Sequence, residues 1–226
     1  MRPEQFLKRL ADARASAIVR TDSKEQARLG MEAAVRGGFR IGEFTLTVPG
    51  ALELIREFSR RDGLIVGAGT VLTPDDARRA VDSGAAFLVS PVLDEAVIAE
   101  AHRLGVAMMP GCATPTEMLR AHRAGAHLQK LFPAPGTGPA WVAQTLAPLP
   151  FLRIVPTSGV TLENAPAYLA AGAFAVGFVN SLFDPADLAA GRFDAVEDRA
   201  RAMLQAVLAA PRLSPPTEPP SSSRRG

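Results

Sequence analysis

Apolar and polar positions along the chain fall into one recurring phrase. A stretch with apolar residues at helical spacing and Ala or Arg between them reaches a glycine, and a short run of strand character follows. The segments VRGGFRIGEFTL, SRRDGLIVGAGT, VDSGAAFLVSP, HRLGVAMMPG, HRAGAHLQKLFP and LAAGAFAVGFVN all carry it. In each, a glycine (Gly38, Gly63, Gly84, Gly105, Gly125 or Gly172) stands where a helix ending in a left-handed residue needs one. SAIVR at Ser16 to Arg20 and LRIVPT at Leu152 to Thr157 bring the expected strands to eight.

Start signals stand at the opposite ends of the helical stretches. LTPDDA and ATPTEM put Thr73 and Thr114 at N-cap, Pro74 and Pro115 at the first helical position, and Asp76 and Glu117 two residues on, a capping-box arrangement. Eight strand-and-helix units predict an α/β fold of the (β/α)8 TIM barrel type, with an open doubly wound sheet as the competing architecture. The first 15 residues read as an extra amphipathic helix closing the barrel bottom rather than as a signal peptide. Residues 1–210 then form one barrel domain, and the Pro/Ser-rich residues 211–226, which lack a periodic apolar face, are expected to be a disordered tail.

Composition narrows the function classes. The 226 residues are 47% apolar, enough for a sizeable core, and contain no run of eighteen apolar residues, so a soluble cytoplasmic protein without a membrane span is expected. A net charge of +2 without a basic stripe argues against a nucleic-acid partner and towards small anions. Cys112, His102, His122 and His127 have no metal-ligand spacing, so no metal or other cofactor is expected; Cys112 reads as core and His122 and His127 as ordinary helix and strand residues.

In a barrel, chemistry gathers at the C-terminal ends of the strands. Period-two alternation puts Glu43, Thr45 and Thr47 on one face, and Leu128, Lys130 and Phe132 on one face of another strand. Arg20, Thr70, Thr157 and Asn180 end four further strands at the same mouth. Lys130 could instead snorkel to solvent, and Glu43 would face outwards under a one-residue register shift. Taken as a pair, a buried amine and a buried carboxylate each need a partner.

Six motifs, GEFTLTVPGA, VGAGTVL, VSPVLDE, PGCATPTE, KLFPA and VPTSGVTLEN, resemble in that order those of the 2-dehydro-3-deoxyphosphogluconate (KDPG) and 4-hydroxy-2-oxoglutarate (KHG) aldolases, over about Ala15 to Ala209. The resemblance implies a homotrimeric (β/α)8 barrel and a metal-free class I aldolase, a lyase in carbohydrate metabolism. In it Lys130 is the Schiff-base lysine and Glu43 the general acid/base. It further implies that Arg20, Thr47 and Thr70 hold the substrate carboxylate and that Pro91 and Phe132 wall the pocket. Thr157, Ser158, Gly159 and Asn180 then meet the far end of the substrate.

At that far end the chain departs from the family pattern. Members commonly read Thr-Gly-Gly and Gly-Ser, where this chain has Thr157-Ser158-Gly159 and Val179-Asn180. The expected reaction is cleavage of a 2-keto-3-deoxy-6-phospho sugar acid to pyruvate and glyceraldehyde 3-phosphate. The alternatives are the same chemistry on an unphosphorylated acid such as 4-hydroxy-2-oxoglutarate, and a noncatalytic interaction module.

Overall fold

The computed structural model describes residues 1–211, so all of the expected tail beyond Pro211 lies outside the described residues. The described chain begins α1 (Pro3–Ala13), β1 (Ala15–Val19), α2 (Lys24–Arg36), β2 (Ile41–Thr45), α3 (Ala51–Phe58) and β3 (Ile65–Gly69). It continues α4 (Pro74–Asp82), β4 (Phe87–Val89), α5 (Glu95–Leu104), β5 (Ala107–Met109), β6 (Gly111–Cys112), α6 (Pro115–Arg123) and β7 (Gln129–Leu131). Then come α7 (Pro139–Leu146), β8 (Ile154–Pro156), α8 (Ala165–Ala170), β9 (Val176–Phe178), α9 (Pro185–Ala189) and α10 (Phe193–Ala209).

All strand pairs are parallel, in a six-stranded curled sheet ordered β5-β4-β3-β2-β1-β9 and a three-stranded sheet ordered β6-β7-β8. The stretch expected as one strand after Gly105, VAMMPG, is divided between β5 and β6. Pro110 lies between them and has no N–H to give to a ladder. Backbone hydrogen bonds join the sheets at both margins: His127 and Leu128 N–H donate to Met108 O at 3.1 and 3.3 Å, and Phe174 N–H to Ile154 O at 2.8 Å.

The predicted stop signals are in place. All six stop glycines have positive φ, from +68° at Gly105 to +116° at Gly38. Thr73 and Thr114 accept from the amides of Asp76 and Glu117 as N-caps. Of these two helices α6 has the full capping box, in which Glu117 takes the Thr114 amide at 2.8 Å. In α4 the shorter Asp76 carboxylate accepts instead from Leu72 N–H at 3.3 Å, a correction to the symmetrical expectation.

Two cores follow from strand alternation. The larger fills the space between strands and helices. The smaller gathers Ile41, Ile65, Phe87, Val89, Ala107, Met109, Leu128, Val155 and Ala175 from strands, or residues flanking them, in both sheets. Helix α1 adds Phe6 and Leu10, one turn apart and both 1% exposed, with the Phe6 ring stacked on Phe87 at 4.4 Å. The extra N-terminal helix therefore seals one end of the strand interior. Arg14, in the left-handed conformation just after α1, donates from its guanidinium to the carbonyls of Val207, Ala210 and Pro211 and fastens the end of α10.

Candidate active site

The interior layer next to that sealed core is polar. Ile41 is followed two residues on by Glu43, Leu128 by Lys130, and Val155 by Thr157, so three strands change chemistry on one face within a single side-chain repeat. Glu43 is 1% exposed, Lys130 5% and Thr157 2%. Among the described residues, Glu43 Oε1 and Oε2 and Thr157 Oγ1 are the buried side-chain oxygen and nitrogen atoms without a hydrogen-bond partner.

Electrostatics sharpen the picture. Burial pushes the Glu43 carboxyl above its ordinary value, against the pull of the Lys130 and Arg20 charges. Burial likewise holds the Lys130 ammonium below its ordinary value, opposed by Glu43 and assisted by Arg20. Each residue thus feels the other's charge while desolvation dominates both. The Lys130 amine also lies 5.1 Å from the centre of the Phe132 ring. An amine whose protonated form is disfavoured is available as a nucleophile.

A cavity of about 430 Å³ opens above Lys130, lined by Ile18, Arg20, Phe132 and Thr157 and by two loops. The loop after β8 supplies Ser158, Gly159, Val160 and Thr161, and that after β9 supplies Val179, Asn180 and Ser181. The expected residues Arg20, Lys130, Phe132, Thr157, Ser158, Gly159 and Asn180 are therefore brought together. Glu43, Thr47, Thr70 and Pro91 do not line this cavity. Thr47 is exposed in the turn after β2 with its hydroxyl 2.9 Å from that of Thr45, and Pro91 is half-buried. Thr70 is half-buried with φ +60°, an unusual backbone for a β-branched residue.

Sequence reasoning missed Ile18, Val160, Thr161 and Ser181. Ile18 was within reach, since it precedes Arg20 by two on a strand. The loop residues carry no periodicity that could have marked them. Cys112 is buried, and desolvation pushes its thiol up to about 12, which fits the core role expected of it. His127 accepts from Met108 N–H at 3.4 Å and His122 packs on Phe151 at 4.7 Å, ordinary structural positions.

The chain as a whole is similar to known proteins. A family profile described as KDPG and KHG aldolase matches residues 7–198. The chain is 37% identical over 172 residues to a probable 2-dehydro-3-deoxy-6-phosphogalactonate aldolase of Rhizobium meliloti, covering 75% of this chain and 81% of that protein. To the 2-dehydro-3-deoxy-phosphogluconate aldolase of Pseudomonas aeruginosa it is 35% identical over 161 residues, covering 70% and 73%. The crystal structure of 2-keto-3-deoxy-6-phospho-gluconate aldolase from Zymomonas mobilis superposes with a TM-score of 0.75 at 30% identity, covering 93% of this chain and 98% of that one. A profile spanning nearly the whole described chain, and relatives above 30% identity over more than two thirds of their length, make this chain a member of the KDPG and KHG aldolase family of carbon–carbon lyases.

Proposed function

We propose that the chain is a class I aldolase cleaving a 2-keto-3-deoxy-6-phospho sugar acid to pyruvate and glyceraldehyde 3-phosphate, with Lys130 forming the imine and Glu43 carrying the proton. The observation that supports this most is the buried pair itself: an amine and a carboxyl, each shifted towards its neutral form by desolvation and coupled to the other.

In this reading the neutral Lys130 amine attacks the C2 ketone, and loss of water leaves a protonated imine that draws electrons from the C3–C4 bond. Glu43 takes the proton of the C4 hydroxyl as that bond breaks, giving an aldehyde and an enamine. Its proton then goes to C3, and water hydrolyses the imine to release pyruvate and the free amine. Arg20, with Thr47 and Thr70 at the turns after β2 and β3, receives the carboxylate. Pro91 and Phe132 bound the pocket, and Thr157, Ser158, Gly159 and Asn180 meet the phosphate-bearing end. The names of the relatives support a phosphorylated substrate.

The same reading takes residues 1–210 as one aldolase domain and the two sheets as arcs of one eight-stranded barrel. The hydrogen bonds from His127 and Leu128 to Met108 at one margin, and from Phe174 to Ile154 at the other, support that closure. A cytoplasmic homotrimer belongs to the proposal through the family resemblance, and a light-scattering mass of three chains is the expected result. No helix among the described residues is long and apolar enough to cross a membrane.

Incubation with pyruvate and borohydride tests the central step. One irreversible pyruvate-derived adduct at Lys130 is expected. Labelling confined to Lys8 or Lys24, or activity abolished by chelators, overturns the reading.

A further inference from the structure

Strand β3 faces the interior with Ile65, Gly67 and Gly69, and the two glycines answer to different neighbours. A Cβ at Gly67 would stand 2.4 Å from the Phe87 ring, within the apolar layer. A Cβ at Gly69 would stand 1.9 Å from Glu43 Oε1, 2.8 Å from its Cδ and 3.1 Å from its Cγ. Glu43 pairs across the ladder with Gly67, while Gly69 pairs with Thr45. The Glu43 side chain therefore leans towards the C-terminal end of the strands and lies across the bare backbone of Gly69.

From this contact we infer that Gly69 is a positioning residue for the acid/base step: its missing side chain is the bed on which the Glu43 carboxyl rests. The inference rests on the role proposed above for Glu43 and adds what fixes that carboxyl in place. Neither Glu43 oxygen is held by a hydrogen bond among the described residues, so packing has to define where the carboxyl sits. The Gly69 backbone lies in the ladder, its carbonyl accepting from Leu46 N–H at 2.8 Å, and its φ is outside the left-handed region. An alanine there meets no backbone strain, and its methyl group acts through the carboxyl it displaces. A displaced carboxyl loses proton transfer and leaves imine formation at Lys130 intact.

Three variants test this: Gly69→Ala, Glu43→Gln, and the two combined. Gly69→Ala is expected to lower kcat by about 10² to 10⁴, the range for losing a general acid/base, while borohydride still traps pyruvate on Lys130. If both changes remove the same contribution, the combined variant is no slower than Glu43→Gln alone. Independent effects that multiply would instead mark Gly69 as merely structural and overturn the inference. Unimpaired turnover in Gly69→Ala, with Glu43→Gln slow, overturns the inference and leaves the proposed function standing. Unimpaired turnover in Glu43→Gln overturns both. Should Gly69→Ala be poorly folded, Glu43→Ala in the same chain removes the contacting carboxyl and is expected to restore the Tm. A Tm that stays low shows that the clash lies elsewhere and overturns the inference.

Discussion

Two neighbouring layers of the strand interior differ in almost everything except the strands that build them. In the lower layer Ile41, Leu128 and Val155 meet Phe87, with Phe6 and Leu10 of α1 closing the end. In the upper layer the same three strands present Glu43, Lys130 and Thr157, all buried, and none of their carboxyl or hydroxyl oxygens on Glu43 and Thr157 has a partner among the described residues. The lower layer satisfies the ordinary rule that a core is apolar and close-packed. The upper layer departs from the rule that buried polar groups find partners, and such departures concentrate where chemistry is done. What the contrast teaches is a division of labour: the sealed layer excludes water from below, and that exclusion is what moves the amine and the carboxyl above it towards their neutral forms.

The largest expected effect breaks the upper layer alone. Lys130→Met removes the amine and fills its place with an apolar chain, so pyruvate trapping and turnover should vanish. Thermal unfolding should show a Tm equal to or above that of the parent, because a buried ionisable group has been replaced by a packed one. A lower Tm with activity retained contradicts both halves of the comparison.

Breaking the lower layer comes next. Phe6→Ala opens a cavity against Phe87 and should cost about 3 to 5 kcal/mol in denaturant unfolding, the usual range for truncating a buried aromatic. Since Phe6 packs in the apolar cluster of the lower layer, stacked on Phe87, kcat of the folded protein should stay near the parent's. A loss of kcat as large as that of Glu43→Gln would mean that the layers are not separable.

A pH series sharpens the comparison further. With its value below the ordinary 10.5, native Lys130 sheds a proton that the unfolded chain keeps, so its presence makes stability rise with pH through that window. Glu43, raised above 4.5, keeps a proton that the unfolded chain sheds, so its presence makes stability fall as pH climbs from 4.5. Lys130→Met should flatten the first slope and Glu43→Gln the second, as read from denaturation midpoints across pH. Phe6→Ala should shift every midpoint and leave both slopes.

The smallest effect concerns the rim. Ser158 and Val179 line the cavity where the family resemblance implies glycines. Charge-assisted hydrogen bonds from backbone N–H groups to a phosphate contribute about 1.5 to 3 kcal/mol each, so one restored bond is worth roughly tenfold or more. Ser158→Gly with Val179→Gly should raise kcat/KM for a phosphorylated substrate by about that factor and leave an unphosphorylated one nearly unchanged. A parent that already prefers phosphate by several hundredfold, with the double variant no better, would show Ser158 and Asn180 to be a competent phosphate site.

Much of this was legible in the chain because its signals are local. A glycine ending a helix, a threonine starting one and an alternation of two along a strand each act within a few residues, and Gly38, Thr114 and Lys130 stand where those rules put them. What escaped depends on distance in space. Gly69 reads as an ordinary strand glycine until the Glu43 side chain is known to lean across it. The break at Pro110 was visible as a residue but not as two strands in two sheets. Nothing local marks Arg14 among the arginines of the chain, yet it is 6% exposed and bound to the end of α10.

That last contact bears on the order in which the chain can be completed. Arg14 lies 193 residues upstream of Val207 and 197 upstream of Pro211. A polypeptide emerging from the ribosome exposes this guanidinium at least 193 residues before any of its three carbonyl acceptors. The first strand must therefore wait for α10 before its neighbour Arg14 gains those bonds, and a chain stalled short of residue 207 lacks all three of them. The turn at Arg14 is therefore locked only after the described strands of both sheets have been made.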